Sequence, residues 1–317
     1  MANIIIRRLL QLIPVLLLAT ALVFVMIRLA PGDPAEQQLG ARGSRNPAVV
    51  AALRAKLGLD RPVPVQYGIW LKSAVTGDLG DSMKSGKPVL ALIWPKLIAT
   101  GELVAAALVF AVIVALVLGV TAAVRPGGWA DQIVRVAVVS GLAIPSYWLG
   151  LVFLLVFAVR LKWFPVSGYV SFSTDWRQNL HHLVLPALSL GIFEAAYFTR
   201  FLRSELVEVL RRDFIRTASA KGLAHRRVIF SHALRNALIP MVTVVALELG
   251  TLLGGVVIIE QVFGWSGVGW LALSAVKNRD YPVLQGAVLV VAIAVSIANL
   301  LADLTYTVID PRIRPSR

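Results

Sequence analysis

Six stretches of this chain are each long and apolar enough to cross a lipid bilayer, which removes most folds from consideration. They run Leu9–Leu29, Ile98–Val124, Ile133–Val159, Leu183–Leu202, Leu238–Ile259 and Leu284–Ile309. At 1.5 Å per residue, about 20 residues cover a hydrocarbon core roughly 30 Å thick. No water reaches peptide groups there, so each stretch is expected to close its hydrogen bonds within itself, as an α-helix. The chain is 58% hydrophobic and only 15% charged, with a mean hydropathy of +0.78, a balance that a soluble domain of this length does not carry. The expected fold is all-α and polytopic, with six spans and both ends on one side. The first run is longer than a signal-peptide core and no small-residue cleavage site follows it, so it is read as an uncleaved anchor.

Charge sets the orientation. Arg7 and Arg8 precede the first span, and Arg125 and Arg135 flank the short loop after the second. Arg200, Arg203, Arg211, Arg212, Arg216, Lys221, Arg226, Arg227 and Arg235 crowd the segment after the fourth, and Arg312, Arg314 and Arg317 form the tail. In a six-span chain all of these fall on one face, which the positive-inside rule makes cytoplasmic. The same rule accounts for the net charge of +14, so nucleic acid is not needed as a partner. The basic segment 31–95 between the first two spans is long, and long external segments translocate largely regardless of charge. It is expected to form a small external helical layer. Asn46-Pro47 supplies a cap and a first-turn proline, Val49, Val50, Leu53 and Leu57 recur at helical spacing, and Gly58 is a stop; a second helix is expected over Val65–Val75.

Catalytic chemistry is not visible. Gly80-Asp-Ser-Met-Lys-Ser-Gly86-Lys87-Pro88 misses the phosphate-loop pattern: its first glycine is one residue too early, and a proline stands where the magnesium-binding hydroxyl belongs. HExxH and GxSxG do not occur, and the spans carry no apolar-flanked aspartate pair. There are no cysteines, and four scattered histidines suggest no metal site. No catalytic residue, cofactor or metal is expected of this chain. Pro14, Pro145, Pro186 and Pro240 lie in or beside spans, where each removes a donor and tends to kink or break a helix. Two acids, Glu194 and Glu248, fall near mid-membrane; such groups face a bundle interior or a wet cavity. They are candidates for the substrate pathway, with inter-helix hydrogen bonding as the alternative. Gly250-Thr-Leu-Leu-Gly254-Gly255 has the spacing of close helix packing, within the chain or against a second one.

The segment 203–236 is basic, helix-prone and much longer than a connection between two helices requires. It resembles the cytoplasmic coupling loop of binding-protein-dependent ABC importer permeases, a helix–turn–helix with small residues before a glycine. Gly222 matches that glycine, and Ala218 and Ala220 the small residues. Arg216 stands where the general motif has glutamate and Arg235 where it has proline, both as in the peptide, nickel and glutathione branch. Arg216-Thr-Ala-Ser-Ala-Lys-Gly-Leu223 and His232-Ala-Leu-Arg-Asn-Ala-Leu-Ile-Pro240 follow that branch, as do Leu29-Ala-Pro-Gly-Asp-Pro34, Gly77-Asp-Leu-Gly80, Lys87-Pro-Val89, Glu260-Gln-Val-Phe-Gly-Trp-Ser-Gly-Val-Gly269, Arg279-Asp-Tyr-Pro282 and Asp310-Pro-Arg-Ile-Arg314. The chain is identified on these residues as resembling the B-type subunit of dipeptide and oligopeptide permeases over its whole length.

The resemblance implies a MetI-like permease of the bacterial inner membrane, non-catalytic itself. It implies pairing with a second, related permease, two cytoplasmic ATPases that hold ATP and magnesium, and an extracytoplasmic binding protein. It places Arg216, Thr217, Ala218, Ser219, Ala220, Lys221, Gly222, Leu223 and Arg226 at the ATPase contact. The competing expectation is a secondary transporter driven by an ion gradient, which does not need so long a basic connector. A cysteine placed at Ser219 is expected to react only with reagent supplied from the cytoplasm, and one at Ser44 only from outside. Labelling of both from the same side would overturn the six-span topology.

Overall fold

The computed structural model describes residues 2–29, 35, 36, 39, 46–56 and 58–309. Pro31–Pro34, Ser44, Leu57, Asp310–Arg314 and Arg317, which carry part of the sequence argument, lie outside them. The described residues form helices and short turns, with one isolated antiparallel bridge, Asp81 to Pro88.

In chain order the helices are α1 (Ala2–Leu29), α2 (Pro47–Lys56), α3 (Val63–Val75), α4 (Val89–Val124), α5 (Trp129–Ala143) and α6 (Ser146–Arg160). Then come α7 (Trp176–Leu210), α8 (Asp213–Ala220), α9 (His225–Gly255), α10 (Val257–Phe263), α11 (Val268–Asn278) and α12 (Tyr281–Ile309). Five of them, α1, α4, α7, α9 and α12, are individually long and apolar enough to cross a membrane. The third expected span is instead two helices, α5 and α6, meeting at 97°. The cause is local. A residue before proline is pushed out of the helical region, and Ile144 duly adopts φ −89°, ψ 121°. Pro145 then has no N–H to continue the ladder. Pro14, Pro186 and Pro240, by contrast, lie inside the continuous helices α1, α7 and α9. Two further short helices, α10 and α11, occupy the stretch between the fifth and sixth expected spans.

α4 has 36 residues and α7 has 35. At 1.5 Å per residue each is about 50 Å long, well beyond the roughly 30 Å of hydrocarbon, so each must project from the bilayer.

The chain divides into two compact units. One comprises residues 1–98 with 267–294. In it α3 docks on α1: Phe24 is fully buried, Tyr67 meets it edge-on at 5.2 Å, Thr20 and Tyr67 hydroxyls lie 2.9 Å apart, and the Arg28 guanidinium donates to Gln66 at 2.8 Å. As Asn46-Pro47 led us to expect, the Asn46 side chain caps α2 by accepting from the Ala48 N–H at 3.1 Å. The loop before α4 is held by Asp280, which accepts from the Ser82 hydroxyl at 2.5 Å and the Met83 N–H at 3.1 Å. Beneath it Leu79, Val89 and Ile93 pack on Val268, Val283 and Ala287. Gly286 permits that contact, since a Cβ there would lie 2.6 Å from Val89. The family-like pieces at 77–80, 87–89 and 279–282 are thus parts of a single clasp.

The other unit comprises residues 99–266 with 295 onward. Its centre is Trp265, fully buried, whose indole N–H donates to the Ala99 carbonyl at 2.7 Å while Tyr169 packs edge-on at 4.8 Å. Around it sit Leu103, Ala107, Leu190, Val256 and Phe263. A second cluster joins Ala111, Ala115, Phe198, Leu202 and Leu206 to Ile215, Val228 and Met241. α7 starts at Asp175, whose carboxylate accepts from the N–H groups of Arg177 and Gln178. α7 also approaches α4 closely, because Gly191 offers no side chain: a Cβ there would lie 2.8 Å from the Ala107 carbonyl oxygen. Gly250 likewise packs within the chain, its absent Cβ making room for Asn299, whereas Gly254 and Gly255 have nothing within 4 Å.

Gly191→Ala is therefore expected to lower the melting temperature of the purified chain in detergent. Gly254→Ala, with open space and a helix-propensity gain of up to about 1 kcal/mol, should leave it unchanged or raise it. Equal effects in the two variants would contradict this packing.

Candidate functional site: an exposed basic helix and a cavity at a helix break

α8 is a short amphipathic helix between the end of α7 and the start of α9. Ile215 and Ala218 are three residues apart, hence on one face, and both are buried in the second core cluster. Arg216, Thr217, Ser219, Ala220 and Lys221 point the other way and are exposed. The turn that follows needs Gly222: its φ is +75°, in the left-handed region, and nothing lies within 4 Å of it. The glycine is thus required by the backbone, not by crowding inside the chain. Leu223 is half-buried against the same cluster, and α9 begins at His225 with Arg226 exposed.

Of the nine residues expected at an ATPase contact, seven form one exposed surface. Ala218 does not belong to it: it lies one helical turn from Ile215 and packs inward, so it roots α8 on its own chain. Phe214 and Phe230, which the sequence reading did not single out, are also exposed, at 41% and 56%. Arg212 pairs with Glu208 at 3.0 Å and Arg216 with Asp213 at 3.5 Å. Lys221, Arg226 and Arg227 have no acidic partner among the described residues.

Asp131 was also missed. It is fully buried at the start of α5 and takes a two-pronged hydrogen bond from Arg203 of α7, at 2.5 and 2.8 Å. The Gly127 N–H donates to it at 2.8 Å, and Arg135 lies 3.7 Å away. In sequence Arg203 was one basic residue among many; only the fold shows that it is neutralised. Further along, Gly141 lets α5 lie against α7, where a Cβ would meet Ala196 at 2.9 Å. α5 is therefore fastened to α7 near both ends.

The break between α5 and α6 opens a cavity of about 370 Å³. Leu142, Pro145 and Tyr147 come from the break, Phe193 and Glu194 from α7, and Thr251 from α9. Glu194 is 5% exposed, and its Oε2 is buried without a hydrogen-bond partner. Glu248 is half-buried and within electrostatic reach of Glu194, but it is not part of the cavity wall. The two acids singled out from the sequence are neighbours in space, and one of them lines a cavity. Among the described residues no group of three or more histidines or acids could hold a metal ion.

Long apolar helices, a cavity between them and an exposed basic helix–turn–helix define a multi-pass membrane transport component. Comparison with known proteins is specific. Residues 115–315 match the family model described as binding-protein-dependent transport system inner membrane component, and residues 1–104 match the N-terminal model of the same systems. The chain is 42% identical to the dipeptide transport system permease protein DppB of Alkalihalophilus pseudofirmus, over 97% of this chain and 98% of that one. It is 42% identical to the glutathione transport system permease protein GsiC of Pectobacterium atrosepticum and 40% identical to the oligopeptide transport system permease protein AppB of Bacillus subtilis, each over 99% of both chains. A chain from the crystal structure of an amino acid ABC transporter with histidines shares the fold, with a TM-score of 0.50 at 16% identity, covering 68% of this chain and 93% of that one. The chain belongs to the binding-protein-dependent transport system inner membrane component family. It is a non-catalytic permease of an ABC importer, and the ion-driven secondary transporter is set aside.

Removing one partner of a buried pair leaves the other uncompensated, at a cost of about 3 kcal/mol or less where the survivor is partly exposed, as Arg203 is. Asp131→Ala is therefore expected to lower the melting temperature of the chain clearly. Arg135→Ala, which removes only a long and half-exposed contact, should barely change it.

Proposed function

We propose that this permease forms half of an inner-membrane pathway for peptides or similar small solutes, delivered by an extracytoplasmic binding protein. It pairs with a second, related permease, and both chain ends lie in the cytoplasm. Two cytoplasmic ATPases, which hold ATP and magnesium, grip the surface made by Arg216, Thr217, Ser219, Ala220, Lys221, Gly222 and Arg226. Leu223 and Ala218 support that surface from behind. The peptide assignment is supported by the names of the relatives, and the coupling assignment by the exposed basic face of α8 and its turn.

The observation that carries this reading is the arrangement of α8. Its apolar face is spent on the chain's own core, while its outer face is exposed and the turn after it carries Lys221 and Arg226, exposed cations with no acidic partner among the described residues. Such a face suits an acidic, partly apolar groove on a soluble partner. ATP can then act only through differential binding, because the closed ATPase pair must fit one arrangement of the permeases better than the other. α8 follows directly from α7, and α7 carries Glu194 about 24 Å back from Leu210, at 1.5 Å per residue. Movement at the coupling surface therefore has a continuous helix through which to reach the cavity.

Reconstitution with the ATPases and binding protein tests this. Gly222→Leu places a branched side chain in a left-handed turn, at a cost of about 1–2 kcal/mol, and adds volume to the contact surface. The expected result is a permease that inserts normally but binds its ATPases weakly or lets them hydrolyse ATP without uptake. Gly222→Asn, which tolerates that backbone, should be milder. Arg226→Glu should weaken coupling in a salt-dependent way, since an exposed pair contributes only about 0–1 kcal/mol. Normal ATPase binding and normal uptake in Gly222→Leu would show that the surface has another role.

A further inference from the structure

The cavity at the Ile144–Pro145 break holds a group that neither the fold nor the coupling surface explains. Glu194 is 5% exposed on the middle of α7, and its Oε2 is buried with no hydrogen-bond partner. An unsatisfied buried acceptor is costly, and acids at membrane depth persist where they serve a pathway or find a counter-charge. The fold supplies no such charge here: among the described residues lining the cavity, none is lysine, arginine or histidine. The nearest ionisable influence is another acid, Glu248, which adds negative potential.

The helix ends do not reverse that sign. The C-terminal end of α5 and the N-terminal end of α6 both border the cavity, and they carry opposite partial charges of about half a unit each. Their contributions largely offset one another, so the Glu194 carboxyl decides the polarity. The rest of the wall suits a cation as well. Phe193 and Tyr147 are 42% and 47% exposed and line the cavity, where aromatic faces attract cations. Ser146 and Thr251 contribute hydroxyl oxygens that can accept from an N–H donor. At about 370 Å³ the space lies near the lower end of the ligand-pocket range of about 300–1,000 Å³. It is large enough for the head of a small molecule and too small to enclose a long peptide.

We propose that this cavity binds the ammonium group of a primary amine, the free amino end of a peptide being the instance that fits the transport reading, with Glu194 as its ion-pair partner. The ammonium pairs with the Glu194 carboxylate, and its remaining hydrogens turn to the hydroxyls and aromatic faces of the wall. A longer peptide is held by its amino end while the remainder lies outside the cavity. The assignment of a peptide rests on the proposed transport function; the assignment of an ammonium rests on the cavity alone.

The test uses the assembled permease–ATPase complex in lipid nanodiscs, purified without its binding protein so that the binding protein's own site is absent. Binding of ethylammonium chloride, L-alanyl-L-alanine and N-acetyl-L-alanyl-L-alanine is followed by calorimetry or thermal shift, against sodium chloride at equal ionic strength. Ethylammonium and dialanine are expected to bind at millimolar concentration and the acetylated compound not to. Glu194→Gln should weaken dialanine binding about tenfold or more, which corresponds to about 1.4 kcal/mol. Equal binding of dialanine and its acetylated form, no binding of either amine, or undiminished binding in Glu194→Gln would each overturn the proposal. Should the Gln variant fail to assemble, the comparison of free and acetylated dipeptide on the unaltered complex still decides it. Failure here leaves the outcome of the Gly222 experiment untouched, and the reverse also holds.

Discussion

Peptide groups in hydrocarbon must find their hydrogen bonds within the chain, and the rest of this structure follows from that constraint. It makes the spans helical and lets them run on past the bilayer in α4 and α7. It also makes any interruption informative. The third expected span is broken at Ile144–Pro145, and the cavity beside Glu194 opens at that break.

α7 links the two features on which function depends. Its middle carries Glu194, and its end passes through Arg211 and Arg212 into α8. α5, whose far end borders the cavity, is held to α7 by the Asp131–Arg203 pair at one end and by the Gly141–Ala196 contact near the other. A buried, two-pronged ion pair contributes geometry more surely than stability, because desolvation offsets much of its attraction. Here the geometry keeps a broken span in register with an unbroken one. Close packing by glycine does the same elsewhere, at Gly191 against α4 and at Gly250 against Asn299.

Much of the fold was legible because lipid imposes one simple rule on sequence. Apolar runs of sufficient length and a cap at Asn46-Pro47 both act locally, over a turn or a span. Gly222 was legible for a similar reason: a turn that needs positive φ needs glycine, whatever surrounds it. Pro145 was anticipated, with three other prolines, as a site of a kink or break; which of the four breaks its helix depends on what packs around it. The resemblance placed Ala218 at the contact, and its inward packing beside Ile215 was not legible, because facing direction in a short helix is set by what it packs on.

What the sequence by itself determined, then, is the long apolar helices, the cap at Asn46 and the turn that Gly222 requires, since each is governed by neighbouring residues and the solvent around them. Tertiary structure alone decided the partnerships. Ser82 meets Asp280 across 198 positions of chain, Arg203 meets Asp131 across 72, and Trp265 reaches the Ala99 carbonyl across 166. It also decided that Glu194 and not Glu248 lines the cavity. These are matters of which helix faces lie together, and local hydrogen bonding and hydropathy carry no information about that until the helices have packed.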